Sequence, residues 1–78
     1  MVVQAYILIQ SEVGKSSQVS ESVGAIDGVV KAEEVTGPYD VIARVEAENV
    51  NELGQLVIAK IQDIQGITRT LTCTVVHG

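Results

Sequence analysis

Few stretches of this chain carry residue types that could do chemistry. The most concentrated is Thr36-Gly37-Pro38-Tyr39-Asp40, near the middle of 78 residues. Asp40 offers a carboxylate at a strand start, Tyr39 is one of two aromatic rings, and Gly37 lets the backbone approach a ligand or take a positive φ. Together they could hold a small zwitterion. Asp40 would take an ammonium group, and exposed amides or the hydroxyls of the row Thr68, Thr70, Thr72 would take a carboxylate. The plainer alternative is that Gly-Pro shapes a turn, Asp40 caps it and Tyr39 covers a core edge, the usual fate of turn residues. The Thr row has an equally plain reading, since threonine forms strands well and keeps a polar side.

Other motifs carry less. Gly14-Lys15-Ser16 mimics the end of a phosphate-binding loop, but Ile9 stands inside a strand where that loop needs another glycine. A single histidine, His77 in the C-terminal tail, leaves no nucleophile, base and orienting acid to assemble. One cysteine and one histidine exclude an internal disulfide and a structural zinc site. Cys73 on an apolar strand face is expected to pack as a small hydrophobe. Glu33 and Glu34 point to opposite faces and read as solvation. No catalytic residue, metal or cofactor is expected.

The elements that must position the central loop follow from periodicity. Val2 to Gln10 reads as a strand, with Val3, Ala5, Ile7 and Ile9 on one face. Lys15 to Ile26 reads as a helix with Val19, Val23 and Ile26 as its apolar stripe, Gly14 as N-cap and Gly28 as its terminator. Val29 to Thr36 and Asp40 to Ala47 form a hairpin around Gly37-Pro38-Tyr39. A second helix spans about Val50 to Ile64, with Asn49 at the N-cap and Glu52 three residues on. Ile67 to Val76 closes as a strand, threonines on one face and Ile67, Leu71, Cys73 and Val75 on the other. The halves are related by an offset of 38: Val19 and Val23 answer to Val57 and Ile61, and Ile26-Asp27-Gly28-Val29 to Ile64-Gln65-Gly66-Ile67. That register predicts a duplicated β-α-β unit. The order β-α-β-β-α-β is the ferredoxin-like α+β sandwich, a four-stranded antiparallel sheet with both helices on one face.

Composition bounds the rest. A chain of 78 residues is one domain, 1–78, and buries only about 60% of the surface its unfolded form exposes. With no staple available, oligomerisation remains. The hydrophobic fraction is 46% and the mean hydropathy +0.31, high for so small a domain. Tyr6, Leu8, Val30, Ala32, Ile42 and the Thr row are expected on the open face of the sheet, which predicts a dimer packed through its sheets. A net charge of −5, with five scattered basic residues, argues against a nucleic-acid surface. The opening apolar run is neither a leader nor a membrane span, so a cytoplasmic protein without a membrane partner is expected.

In this order, Ala5-Tyr6-Ile7-Leu8-Ile9, Ile26-Asp27-Gly28-Val29, Val35-Thr36-Gly37-Pro38-Tyr39-Asp40, Asn51-Glu52-Leu53 and Ile64-Gln65-Gly66-Ile67-Thr68-Arg69-Thr70-Leu71-Thr72 resemble one known domain. It is the C-terminal effector-binding (RAM) domain of the Lrp/AsnC, or feast/famine, transcription regulators. The resemblance implies the same ferredoxin-like fold, dimerisation through the sheets and assembly of dimers into tetramers or octamers; a dimer, building to an octamer or decamer, is expected of this chain. It also implies an amino acid or related metabolite bound at subunit interfaces near the central hairpin. It raises Gly37, Tyr39 and Asp40 to ligand contacts, with Thr68, Thr70 and Thr72 as weaker ones. Family regulators carry an N-terminal helix-turn-helix, and none precedes the first strand here. A stand-alone domain is therefore expected, one that joins full-length Lrp/AsnC regulators as a partner. The alternatives are a cofactor-free enzyme of the dimeric α+β barrel type and a purely structural assembly domain.

Overall fold

The computed structural model describes residues 2–76 (for Leu56, the backbone alone). Strand β1 (Val3–Ser11) leads to a first helix (Ser16–Gly24), then to the hairpin of β2 (Val29–Glu34) and β3 (Val41–Ala47). The second helix runs through Val50–Glu52, a wider π turn over Leu53–Ile58, and Ala59–Gln62. It is followed by β4 (Ile67–Thr74). The four strands form one antiparallel sheet in the order β2-β3-β1-β4. This is the expected ferredoxin-like α+β arrangement.

Alternation dictates the core. The β1–β3 register sets Ala5, Ile7 and Ile9 beside Val45, Ala43 and Val41, all fully buried. Val19 and Val23 of the first helix and Leu53, Val57 and Ile61 of the second close over them. Each large aliphatic side chain buried this way contributes about 1.5–3 kcal/mol. The second helix starts as expected: Asn49 is extended, and its side-chain oxygen accepts the Glu52 N–H at 2.8 Å. The first helix starts differently. Its N-cap is Lys15, with no side-chain cap, and it stops at Gly24, four residues before the glycine expected to end it.

The duplication is visible in the packing. Gly28 and Gly66 both precede a strand and both have a positive φ, 97° and 95°. A Cβ on Gly28 would lie 2.8 Å from Val57 Cγ2, and one on Gly66 would lie 3.3 Å from Val19 Cγ2. Each half's glycine thus leaves room for the other half's helix valine. The adjoining hydrogen bonds match too: Gly28 O accepts the Glu46 N–H at 2.8 Å and Gly66 O accepts the Glu12 N–H at 2.7 Å. Just beyond each glycine the ladder slips by one residue, at Val30 in β2 and at Thr68 in β4.

Those two bulges overturn part of the face assignment. Beyond the β2 bulge, Ala32 pairs with Ala43 and packs against the core, so it faces the helices rather than the open side. In β4, Thr70, Thr72 and Thr74 pair with Ile9, Ile7 and Ala5, so the Thr row also lies on the helix side. Thr72 and Thr74 stay exposed there because the helices do not cover this edge strand. Ile67, placed before the bulge, packs against the core instead of sharing a face with Leu71 and Cys73. The open face carries Tyr6, Leu8, Ile42, Arg44, Leu71 and Cys73. Tyr6 and Leu71 are 43% and 44% exposed, and Cys73 is exposed rather than packed.

Candidate functional site

The central hairpin does more than reverse the chain. Asp40 donates its N–H to Ile9 O at 2.9 Å and accepts the Val35 N–H on its carbonyl at 2.9 Å, closing the turn against both neighbouring strands. Its carboxylate Oδ2 accepts the Ser11 N–H at 2.8 Å and the Ser11 hydroxyl at 3.3 Å. The Gln10 side-chain amide donates to Pro38 O at 2.9 Å, and the Thr68 hydroxyl donates to Gln10 O at 3.2 Å. The hairpin, the end of β1 and the start of β4 are therefore knitted together at one end of the sheet.

These contacts frame a groove of about 500 Å³. Its walls are Gln10 and Ser11 at the end of β1, Glu12, Val13 and Gly14 of the following loop, and Ser16 at the start of the first helix. Pro38 and Asp40 of the hairpin and Thr68 of β4 complete them. Asp40 Oδ1 accepts no hydrogen bond among the described residues, so half of this carboxylate is free for a ligand. The first helix brings its amino end to the same groove, with no side-chain cap and no acidic residue in its first turn. Its leading N–H groups favour negative charge. A carboxylate oxygen without a hydrogen bond among the described residues and an anion-favouring helix end share one cavity.

Of the residues singled out in the sequence, the groove brings together Asp40 and Thr68. Gly37 and Tyr39 belong to the same hairpin but do not line it. Gly37 has φ 159°, at the edge of the extended region, with open space where a Cβ would stand. Thr70 and Thr72 are carried past the bulge onto the helix side of β4. His77 lies outside the described residues. Gln10, Ser11, Glu12 and Ser16 were missed. Polar residues at strand and helix ends give no periodic signal, and the slip that exposes Thr68 depends on pairing between β1 and β4. A larger groove of about 610 Å³ lies on the outer helix surface, between Gln18, Glu21, Ser22, Ala25 and the segment Ile64-Gln65. None of the side chains there makes a hydrogen bond among the described residues, so nothing in it is oriented toward a ligand.

The model of the Lrp/AsnC ligand-binding domain matches residues 4–77. The chain belongs to that family. Among curated relatives, a helix-turn-helix-type transcriptional regulator of Pyrococcus furiosus is 32% identical over 71 residues, 87% of this chain and 47% of that protein. The Lrp/AsnC-type chain thus spans about half the length of the regulators it matches. A homocitrate synthase of Sulfurisphaera tokodaii is 37% identical over 60 residues, 77% of this chain but only 13% of the enzyme. Among solved structures, a Thermus thermophilus protein superposes with a TM-score of 0.89 at 29% identity, covering 97% of this chain and 95% of that one. The AsnC protein of Escherichia coli superposes with a TM-score of 0.87 at 26% identity, over 97% of this chain and 52% of its own length. The similarity to regulators fits the regulatory, effector-binding role of an Lrp/AsnC ligand-binding domain.

Proposed function

We propose that this Lrp/AsnC domain binds a free amino acid, or a closely related metabolite, in the groove beside Asp40. The observation that carries the reading is the charge polarity of that groove. Asp40 Oδ1 is available for the ligand's ammonium, and the uncapped first helix is available for its carboxylate. A zwitterion lies along that axis. Asp40 and Thr68 are the contacts offered within one chain. Gly37 and Tyr39, on the same hairpin, and Thr70 and Thr72, on the helix side of β4, join the site only across an interface between copies.

Assembly is the second half of the proposal. Two copies pack through their open sheet faces, burying Tyr6, Leu8, Ile42, Leu71 and Cys73, and dimers build into an octamer or decamer. The exposed apolar side chains on that face support this, as does the chain's small size. The domain then acts in the cytoplasm on transcription or metabolism, alone or in mixed oligomers with full-length Lrp/AsnC regulators. It carries no catalytic step of its own. The small share of the homocitrate synthase that it matches gives no support to an enzyme reading.

The test is a thermal-shift screen of the purified protein against the twenty amino acids, with light scattering on each hit. A ligand held only by the folded state stabilises by about 2.7 kcal/mol at a hundred times its dissociation constant. A selective rise with one or two amino acids is expected. Asp40→Asn keeps an acceptor for the Ser11 N–H but loses the charge, and it should abolish the rise. An unchanged melting temperature across the panel, with a stable oligomer throughout, would leave a structural assembly domain and end the effector reading.

A further inference from the structure

We propose that the amino acid taken by this groove has a cationic side chain, received by Glu12. The inference rests on the effector reading and adds the ligand class.

The groove holds two charged residues, Asp40 and Glu12, and both are acidic. Two basic residues adjoin the walls along the chain, Arg69 beside Thr68 and Lys15 beside Gly14 and Ser16, and neither is among them. Arg69 pairs with Gln10 in the β1–β4 ladder, and the Lys15 Cβ and Cγ lie against Gly66, 3.4 and 3.7 Å from where a Cβ on that glycine would stand. A ligand of neutral side chain would use one carboxylate and leave Glu12, which is exposed, to solvent alone. An acidic side chain would meet like charge and find no basic group.

Glu12 is placed for the task. Its backbone is held on both sides: its N–H donates to Gly66 O at 2.7 Å and its carbonyl accepts the Lys15 N–H at 3.0 Å. Its carboxylate has no hydrogen bond or ion pair among the described residues. Its neighbours are otherwise committed. Asp40 Oδ2 belongs to Ser11, and the Ser16 hydroxyl is turned to Glu34 at 3.2 Å. With the α-ammonium on Asp40 and the α-carboxylate at the helix end, Glu12 is the acidic group left for the side chain. At about 500 Å³ the groove has room for a long one.

The experiment is calorimetric titration of the intact oligomer with L-lysine, L-norleucine, L-glutamate and cadaverine. Norleucine has lysine's carbon chain without its terminal amine, and cadaverine has both amines without the carboxylate. Lysine should bind about fivefold more tightly than norleucine, the upper range for one exposed charge pair, with glutamate weakest. Glu12→Gln should bring lysine down to norleucine's affinity. Glu48→Gln, an equal loss of net charge outside the groove, should keep the lysine preference. Norleucine binding as tightly as lysine would overturn the cationic class, and a lysine preference that survives Glu12→Gln would overturn Glu12 as its receiver, while the effector reading stands in both cases. Cadaverine binding as tightly as lysine would reduce the effect to general attraction by an acidic chain. No heat from any amino acid of the twenty would remove both proposals.

Discussion

Substituting Gly28 by alanine tests whether the two halves of the fold lock each other. Gly28 has φ 97°, a conformation that costs an L-residue about 1–2 kcal/mol. The new Cβ would stand 2.8 Å from Val57 Cγ2, closer than real Cβ atoms come to a neighbour, and a tight 3.2 Å from the backbone Glu46 O. Overpacking of this kind adds about 1–3 kcal/mol, for a total of about 2–5 kcal/mol. A domain of this length has about 4–12 kcal/mol in all, so the variant should be severely weakened. Gly14→Ala provides the comparison, because φ is 81° but nothing lies within 4 Å of the added methyl. It should cost only the backbone part. Gly66→Ala, with its contact at 3.3 Å, should fall between. The assay is urea unfolding followed by circular dichroism at one protomer concentration, since any oligomer makes stability concentration-dependent. Repeating Gly28→Ala in a Val57→Ala background should recover about 1–3 kcal/mol of the steric cost, read as a coupling energy. If Gly28→Ala costs no more than Gly14→Ala, or if the Val57→Ala background gives no relief, the reciprocal lock is wrong.

Three further outcomes are expected. Asp40→Ala should lower stability by about 1–3 kcal/mol in urea titrations, because the Ser11 N–H loses its acceptor at 2.8 Å, whereas Asp40→Asn should cost much less. Asn49→Ala should cost about 1 kcal/mol by removing the cap on the Glu52 N–H, with no effect on ligand titrations. Leu71→Lys sets a charge on the open face at a side chain that is 44% exposed. It should lower the mass seen by light scattering while the far-ultraviolet spectrum keeps its shape, and an unchanged mass would place the assembly surface elsewhere.

Much of the fold was legible because it follows from local periodicity. Odd positions from Val3 to Ile9 and from Val41 to Ala47 alternate as half-buried strands do, and the observed register puts them on one core face. The offset of 38 was also legible, and Gly28 against Val57 and Gly66 against Val19 give it a physical meaning. Helix ends were less so. The first helix was expected to run to Ile26 and stops at Gly24, where the Ala25 and Ile26 N–H groups turn to the carbonyls three residues back, Ser22 O and Val23 O, and tighten the last turn.

The candidate site divides along the same line. Composition and local pattern by themselves determined the element order, the core face, the acidic charge and the importance of the hairpin around Asp40. They do so because side-chain polarity and backbone preference act over a few residues. Tertiary structure alone decided which side of the sheet the threonines occupy, that Thr68 is separated from Thr70 and Thr72, and that Glu12 and Ser16 share a groove with Asp40. The first two depend on a one-residue slip between β1 and β4, strands more than fifty positions apart in the chain, and the third on the pairing of β1 with β3 and the contact of Ser11 with Asp40. A slip of one residue turns a strand's side chains to the other face, and no local pattern records it.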